Sequence, residues 1–402
     1  MKYLILADDL TGALDTGVQC VRKGDRVIIK TQANKNIDMT EDTDVMVINT
    51  GTRHKSSEDA YQIVYELAER ACQAGVNHLY KKTDSALRGN VGAELAAVLD
   101  ATKQSQLVFV PAYPKMRRTT ANGLQYIDGI ELSKSVFADD ILDPVYHSNI
   151  CDLIHLQSDI PVTLEKDAGP NTHGVIVYDC KNEEEMKSIA EELSKSGKTN
   201  LLAGCAGLFE ALPHTGGFEK RINKHPKLSD KLLVMSGSMN SITAAQLERA
   251  ENNGAYRCHL PISEIVNGNW TDNDKEQYLN KISEMADGHE TVILDTLPEN
   301  SDGIETVAAD GEMIAAIMGE FTKTMLGKLP QHTLMIIGGD TLQGFVDEMG
   351  VTSLIPITEL EPGTVLAVYK TENSQKYLIT KSGGFGDSGL IQKVQEKITS
   401  QC

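Results

Sequence analysis

Short apolar runs alternate with amphipathic stretches along most of the chain. YLILA (3–7) leads into ALDTGVQCVRKG, where apolar residues recur every three to four positions until a glycine stops the repeat. RVIIK, DVMVINT, a helical pattern over 57–74, HLYKKT, a helix around 91–102 and QLVFVPA follow. GVIVYD, a helix over 183–196 and LLAGCA continue the series. Strand, helix, strand in this order predicts a mostly parallel α/β sheet. Residues 212–230, LPHTGGFEKRINKHPKLSD, lose the pattern; two prolines, a Gly-Gly pair and mixed charges are linker composition. The alternation then resumes with KLLVMSGS, a helix over 241–253, TVILDT and a long helical pattern over 304–328. HTLMIIGG, a helix over 341–349, TVLAVYK, KYLITK and a terminal helix complete it. The expected architecture is two α/β domains, each with a largely parallel sheet, over residues 1–225 and 226–402.

Composition narrows the class. At 402 residues, 41% hydrophobic and 24% charged, the chain reads as an ordinary soluble protein of two domains. Its formal net charge of −19 argues against a nucleic-acid or anionic-membrane surface, both of which require a basic face. A small anionic ligand needs only a local positive site and stays open. The seven cysteines at 20, 72, 151, 180, 205, 258 and 402 form no Cys-x-x-Cys pair, a pattern that fits reduced thiols in a cytoplasm. MKYLILADD reaches acids by position 8, so it reads as a first strand rather than a signal peptide, and no apolar run is long enough to span a membrane.

In parallel α/β sheets ligands collect outside the carboxyl ends of the strands, and four N-terminal strands end in costly chemistry. The first ends in Asp8, Asp9, Thr11 and Gly12, and DVMVINT in NTGTRH with Arg53. HLYKKT ends in KKTDSALRGN, with Lys81, Lys82, Asp84, Ser85 and Arg88; QLVFVPA ends in YPKMRRTTANG, with Lys115, Arg117 and Arg118. Each alone reads as a helix cap or a solvated turn. Together they supply cations for a carboxylate and Asp acceptors for hydroxyls, which suits a small polyhydroxylated acid.

The C-terminal half places three glycine-rich turns between strand and helix. Ser236-Gly237-Ser238 is the first, Gly338-Gly339-Asp340-Thr341 the second and Ser382–Gly386 the third. Such turns present backbone N–H groups, and a following helix adds its positive end, so they bind phosphate readily. Singly, each is also a plain helix-starting turn. Gly384-x-Gly386-x-x-Gly389 matches the dinucleotide fingerprint in form only, since just 13 residues follow and no βαβ unit fits in them. No Walker A sequence occurs. GFGD at 384–387 is similar to the anion hole and base Asp of ribokinase-type sugar kinases, through four residues alone. His147, Cys151 and His155 would share a face if helical, but no fourth ligand is evident and a partly buried helix face explains them equally, so no metal site is assigned.

Taken in order, ADDLTGALDTGVQ, KKTDSALRGN, PAYPKMRRTTANG, SGSMNSITAAQ, GGDT and KSGGFGD resemble the four-carbon acid sugar kinase family. The likeness spans nearly the whole chain. It implies a substrate domain and a nucleotide domain with the active site in the cleft between them. It also implies ATP-dependent phosphorylation of the terminal hydroxyl of a four-carbon sugar acid: threonate, erythronate or 3-oxo-tetronate. Carried over by position, Asp9, Arg53, Lys82, Thr83, Asp84 and Ser85 would contact the sugar acid, and Ser236, Gly338, Gly339, Asp340, Thr341 and Gly384 would contact ATP. ALDTGVQ resembles the threonate/erythronate branch, D-threonate first. KMRR departs from the usual small or glycine residue before TTANG, which bears on how the acid is held.

The resulting expectation for the chemistry is that Arg53 and Lys82 fix the carboxylate and Asp84 orients hydroxyls. Asp9 is expected to accept the proton of the attacking hydroxyl, with Asp387 as second candidate, and Mg²⁺ to bridge phosphate oxygens. Partners are then the sugar acid and ATP, with no nucleic acid and no membrane; monomer and homodimer are both open. A non-catalytic sugar-acid and nucleotide sensor is the rival from another class, distinguished by the absence of acid-dependent ATP consumption. A dehydrogenase is a further rival, weakened by the failed fingerprint.

Overall fold

The computed structural model describes residues 3–33, 43–140, 143–213, 227–297, 311–371 and 374–400. Most of the 212–230 linker, positions 304–310 of the 304–328 helical pattern, and Cys402 lie outside them. The chain divides into two compact units, Met1–Arg221 and Ile222–Cys402.

In the first unit the main-sheet strands are β1 (Tyr3–Ala7), β2 (Val27–Lys30), β3 (Val45–Asn49), β4 (Leu79–Lys82) and β5 (Gln106–Val110). A small sheet follows, of β6 (Arg118–Ala121), β7 (Leu124–Ile127) and β8 (Ile130–Glu131), before the main sheet is completed by β9 (Val162–Leu164), β10 (Gly174–Val177) and β11 (Leu201–Gly204). Main-sheet order is β2-β3-β1-β4-β11-β5-β10-β9, with every pair parallel. Both faces are covered, which is why β1, β3 and β4 are buried along their whole length; β1 and most of β3 read as apolar runs, whereas β4 buries Lys81 and Lys82. Leu4, Leu6, Met46, Ile48, Leu107 and Phe109 pack with helices Ser57–Gln73 and Val91–Thr102. On the other face Tyr80 and Tyr3 meet Phe209 edge-on, from helix Ala206–Ala211. The chain leaves β1 toward β2 on one side and crosses from β3 to β4 on the other. The loops after β1, β3 and β4 therefore open on one crevice.

The small sheet was not read from the periodicity, and its turns were not singled out either. Asn122-Gly123 and Asp128-Gly129 all have positive φ (50°, 72°, 53° and 81°), the two-residue hairpin geometry that Asn-Gly and Asp-Gly favour. The helix that follows in this unit runs only Ile150–His155, so His147 precedes it and shares no helical face with Cys151 and His155.

The second unit contains β12 (Leu232–Ser236), β13 (Tyr256–His259), β14 (Thr291–Asp295), β15 (Thr333–Ile337), β16 (Ser353–Glu361), β17 (Thr364–Thr371) and β18 (Ser374–Lys381). Order β13-β14-β12-β15-β18 is parallel, and β17 and β16 add on antiparallel. Strict alternation fails here because too few residues separate β16, β17 and β18 for a crossover helix, so hairpins form. Helices Ser241–Asn252 and Leu390–Ser400 pack on Val234, Ile293, Met335 and Ile379. Among the described residues no helix is long and apolar enough to cross a membrane.

Candidate active site

At the β1 end the helix Leu10–Arg22 begins, and Asp9 is its N-cap: Oδ1 accepts from Gly12 N at 2.9 Å and Oδ2 from the Thr11 hydroxyl at 2.6 Å. The same carboxylate holds Arg53, whose Nη1 donates to Asp9 Oδ2 at 2.9 Å; Arg53 Nε donates to Asp8 Oδ2 at 2.8 Å. Asp84 Oδ1 lies 3.7 Å from Arg53 Nη2 and is gripped by Arg88, which also reaches Asp140 at 3.0 Å. Three strand ends thus meet in one mesh of alternating charge, with Arg53 at its centre.

Strand pleating sorts the two lysines. Lys82 is in register with Ala7, on the face of the first helix, while Lys81 is in register with Leu6 and points to the opposite side. There Lys81 is fully buried and paired with Glu94 at 2.9 Å, and Glu94 accepts in turn from the Thr52 hydroxyl. Burial holds the Glu94 carboxyl above its ordinary value, against the pull of Lys81. Lys81 therefore braces the floor and is not presented to the crevice. Lys82 Nζ stays 4.0 Å from Asp8 Oδ1, and that oxygen and the Thr83 hydroxyl are buried with no hydrogen-bond partner among the described residues. A side chain at Gly12 would meet Lys82 Nζ at 2.6 Å, so glycine is what lets the ammonium reach the cap.

Charge states follow from the mesh. Burial acts to raise the Asp9 pKa, but Arg53 and then Lys82 outweigh it and hold the carboxyl below the ordinary range. Asp84 is held well below, by Arg88 and Arg53 against burial. Lys82 is pulled down by burial yet ends above its ordinary value because Asp8 and Asp9 face it. All are therefore ionised at neutral pH. Of the third group of cations, Lys115 pairs with Glu210 and the exposed Arg117 with Asp128. Only Arg118 turns inward, its guanidinium 5.7 Å from the Phe137 ring that also faces Arg88.

In the second unit the three glycine turns pack against one another. Gly237 N donates to the Thr341 hydroxyl at 2.9 Å, and a Cβ on Gly237 would meet that oxygen at 2.5 Å. A Cβ on Gly383 would meet the Ser238 hydroxyl at 2.6 Å. Gly338, with φ of 107°, is the N-cap of helix Gly339–Glu348, so Gly339, Asp340 and Thr341 form its first turn and leave their N–H groups without intrahelical acceptors. The hydroxyls of Ser236 and Thr296 end adjacent strands, buried and without a partner among the described residues.

Residues 3–212 match the family model described as a sugar-binding N-terminal domain, and residues 233–391 the one described as a nucleotide-binding C-terminal domain. The chain belongs to the four-carbon acid sugar kinase family. It is accordingly an enzyme, a phosphotransferase with an alcohol acceptor. Similar proteins include a D-threonate kinase from Salmonella typhimurium, 29% identical over 97% of this chain and 97% of its own. A D-erythronate kinase from Heliobacterium modesticaldum is 30% identical over 62% of this chain and 60% of its own. A 3-oxo-tetronate kinase from Haemophilus influenzae is 23% identical over 97% and 98%. A solved Salmonella typhimurium structure matches with a TM-score of 0.77 at 20% identity, covering 98% of this chain and 99% of that one. One from Haemophilus influenzae gives 0.69 at 22%, covering 98% and 100%. At these identities the solved structures speak for the fold alone.

For this sugar acid kinase the second base candidate, Asp387, is an exposed residue. It is bonded to Lys393 and accepts from Gly389 N at 2.9 Å, and the Lys393 bond foremost holds its carboxyl below the ordinary value. Gly384 lies in the third turn between Gly383, packed on Ser238, and the buried Phe385. Among the described residues no group of three or more His, Cys, Asp or Glu side chains is arranged to hold a metal ion. Sequence reading missed Glu94, Asp140 and Thr296, and it passed over Lys381, the strand residue directly before the third turn. Glu94 had left a signal, as the only charge in the first two turns of an otherwise apolar helix, VGAELAAVL.

Proposed function

We propose that the chain is an ATP-dependent kinase that phosphorylates the terminal hydroxyl of a four-carbon sugar acid, D-threonate first, with D-erythronate or 3-oxo-tetronate as the alternatives. The observation that carries the reading is the Lys82–Asp8–Asp9–Arg53–Asp84 cluster, a buried mesh with hydrogen-bonding capacity left over at Lys82, Asp8 and Thr83. Arg53 is already engaged by two aspartates, so Lys82 meets the substrate carboxylate first, with Arg53 adjoining. Thr83, Asp84 and Ser85 then receive its hydroxyls. Asp9, ionised and held at a fixed place, accepts the proton from the attacking hydroxyl. Its depressed pKa makes it a weak base, which suits phosphoryl transfer, where positioning and charge neutralisation matter more than early proton removal.

The nucleotide's phosphates fall to the three glycine turns, through Ser236, Gly338, Gly339, Asp340, Thr341 and Gly384. Mg²⁺ fits this donor set as an ion held chiefly by phosphate oxygens and water, with the exposed carboxylate of Asp340 the residue that would hold it on the protein side. When bound, it would neutralise charge on those oxygens. The test is ADP release with MgATP against D- and L-threonate, D- and L-erythronate, 3-oxo-tetronates and five- and six-carbon acids. Turnover confined to one four-carbon acid supports the reading and fixes the substrate. ADP release unchanged by every acid would overturn it in favour of the sensor.

A further inference from the structure

Lys381 ends β18, directly before the third glycine turn, and its side chain is fully buried. Its Nζ donates to the Thr243 hydroxyl at 3.0 Å and to the Gly383 carbonyl at 2.9 Å. Thr243 donates to that same carbonyl at 2.9 Å and receives from Ser238 at 3.3 Å, so lysine, first turn and third turn form one hydrogen-bonded unit. The lysine's own carbonyl receives Gly338 N at 3.0 Å, which ties in the second turn. Lys381 thus sits behind all three phosphate-binding turns.

The acceptor count matters. A neutral amine has two N–H groups, and both are used here. An ammonium has three, and the third has no acceptor among the described residues. Among the described residues no buried counter-ion compensates it. Strand β15 and the turn 382–386 carry no charged side chain. Glu248, Arg249 and Glu251 on helix Ser241–Asn252, Lys370 on β17, Asp340 on the second turn and Asp387 after the third are all exposed. Burial alone brings the lysine's pKa down to about 7. A buried cation without a partner is costly, and anionic phosphate beyond the turns is the charge that would relieve it.

We propose that Lys381 is the electrostatic anchor of the nucleotide's phosphates, taking a proton from solvent when the triphosphate binds. The inference rests on the nucleotide-binding role of these turns given above. Lys381 acts through the turn it braces and is a positioning residue. Its consequence is that nucleotide affinity and proton binding are linked.

The experiment is titration calorimetry of the full chain with MgATP at pH 8.0, in HEPES and in Tris, whose ionisation enthalpies differ. Adenosine serves as the phosphate-free probe. The expected result is uptake of about one proton per MgATP and none with adenosine. Affinity for MgATP should fall by up to about tenfold per pH unit above neutrality. Lys381→Met should abolish the uptake and weaken MgATP by about tenfold or more, the worth of one charge-assisted hydrogen bond. The wild-type measurement stands even if the variant does not fold. MgATP binding without proton uptake, or uptake unchanged in Lys381→Met, overturns the inference while leaving the kinase reading intact. No MgATP binding, by calorimetry or equilibrium dialysis, overturns the nucleotide reading itself and this inference with it.

Discussion

Asp9 serves fold and chemistry through one carboxylate. Oδ1 caps Gly12 N and lies 2.9 Å from Arg53 Nη2, while Oδ2 takes the Thr11 hydroxyl and Arg53 Nη1–H. The two roles separate by substitution. Asp9→Asn keeps a capping oxygen but loses the charge, so turnover should fall by roughly 10²–10⁴-fold with MgATP affinity nearly unchanged. Asp9→Ala should lose the cap as well, lowering stability by a further ~1 kcal/mol in a denaturant titration. Wild-type turnover in Asp9→Asn would move the base elsewhere. At this scale the sequence was partly legible. Asp9, Arg53 and Lys82 stood out because a charge at the end of an apolar strand is expensive. The pairing of Lys81 with Glu94 did not, because which lysine turns inward depends on strand register. Arg117 and Arg118 were equally opaque: neighbours in sequence, they split between solvent and interior as β6 starts.

Among elements, the helices Gly311–Lys328 and Gly339–Glu348 pack backbone against backbone. A Cβ on Gly344 would lie 1.8 Å from the Ala315 carbonyl, and one on Gly319 2.3 Å from the Gly344 carbonyl. Alanine at 344 gains up to about 1 kcal/mol of helix propensity. That gain is outweighed by a forced separation of the helices, so Gly344→Ala should destabilise by roughly 1–3 kcal/mol and raise the KM for MgATP by shifting the second turn. Gly327→Ala is the control: nothing lies within 4 Å of its Cβ, and it should stabilise by about 0.5–1 kcal/mol. Thermal melts of the two variants moving in the same direction would refute this account. Most parallel strands and their helices were plain in the periodicity because both faces of each sheet are covered, but β9, β13 and the helix Asp272–Ala286 were passed over. The β6–β8 sheet was hidden because its strands are short and half buried, and only its turn residues betray it.

For the whole molecule, the formal charge of −19 surrounds sites meant for anions. Its field opposes their approach, and salt screens exposed charge more than buried charge. The association rate of a fluorescent MgATP analogue should therefore rise between 10 and 150 mM salt, measured by stopped flow; a fall would mean that local cations dominate the encounter. Stability should carry the mark of Lys381. Its folded pKa is about 7 and its unfolded value about 10.4, so within this window the unfolded chain binds more protons, and the lysine's contribution to stability rises with pH. Lys381→Met lacks this term, so its advantage or deficit relative to wild type should shift toward wild type between pH 7 and 10. A constant difference across that range would place the titration elsewhere. Finally, β11 lies between β4 and β5 although it is made more than 90 residues after β5. Thr83 N bonds to Gly204 O at 2.9 Å, so the segment Lys82, Thr83 and Asp84, flanked by β1 on one side, lacks its neighbour on the other until residue 204 has been synthesised. On the ribosome, the crevice is then among the last parts of its unit to take shape, and a nascent chain stalled before β11 would hold an open slot in the middle of its sheet.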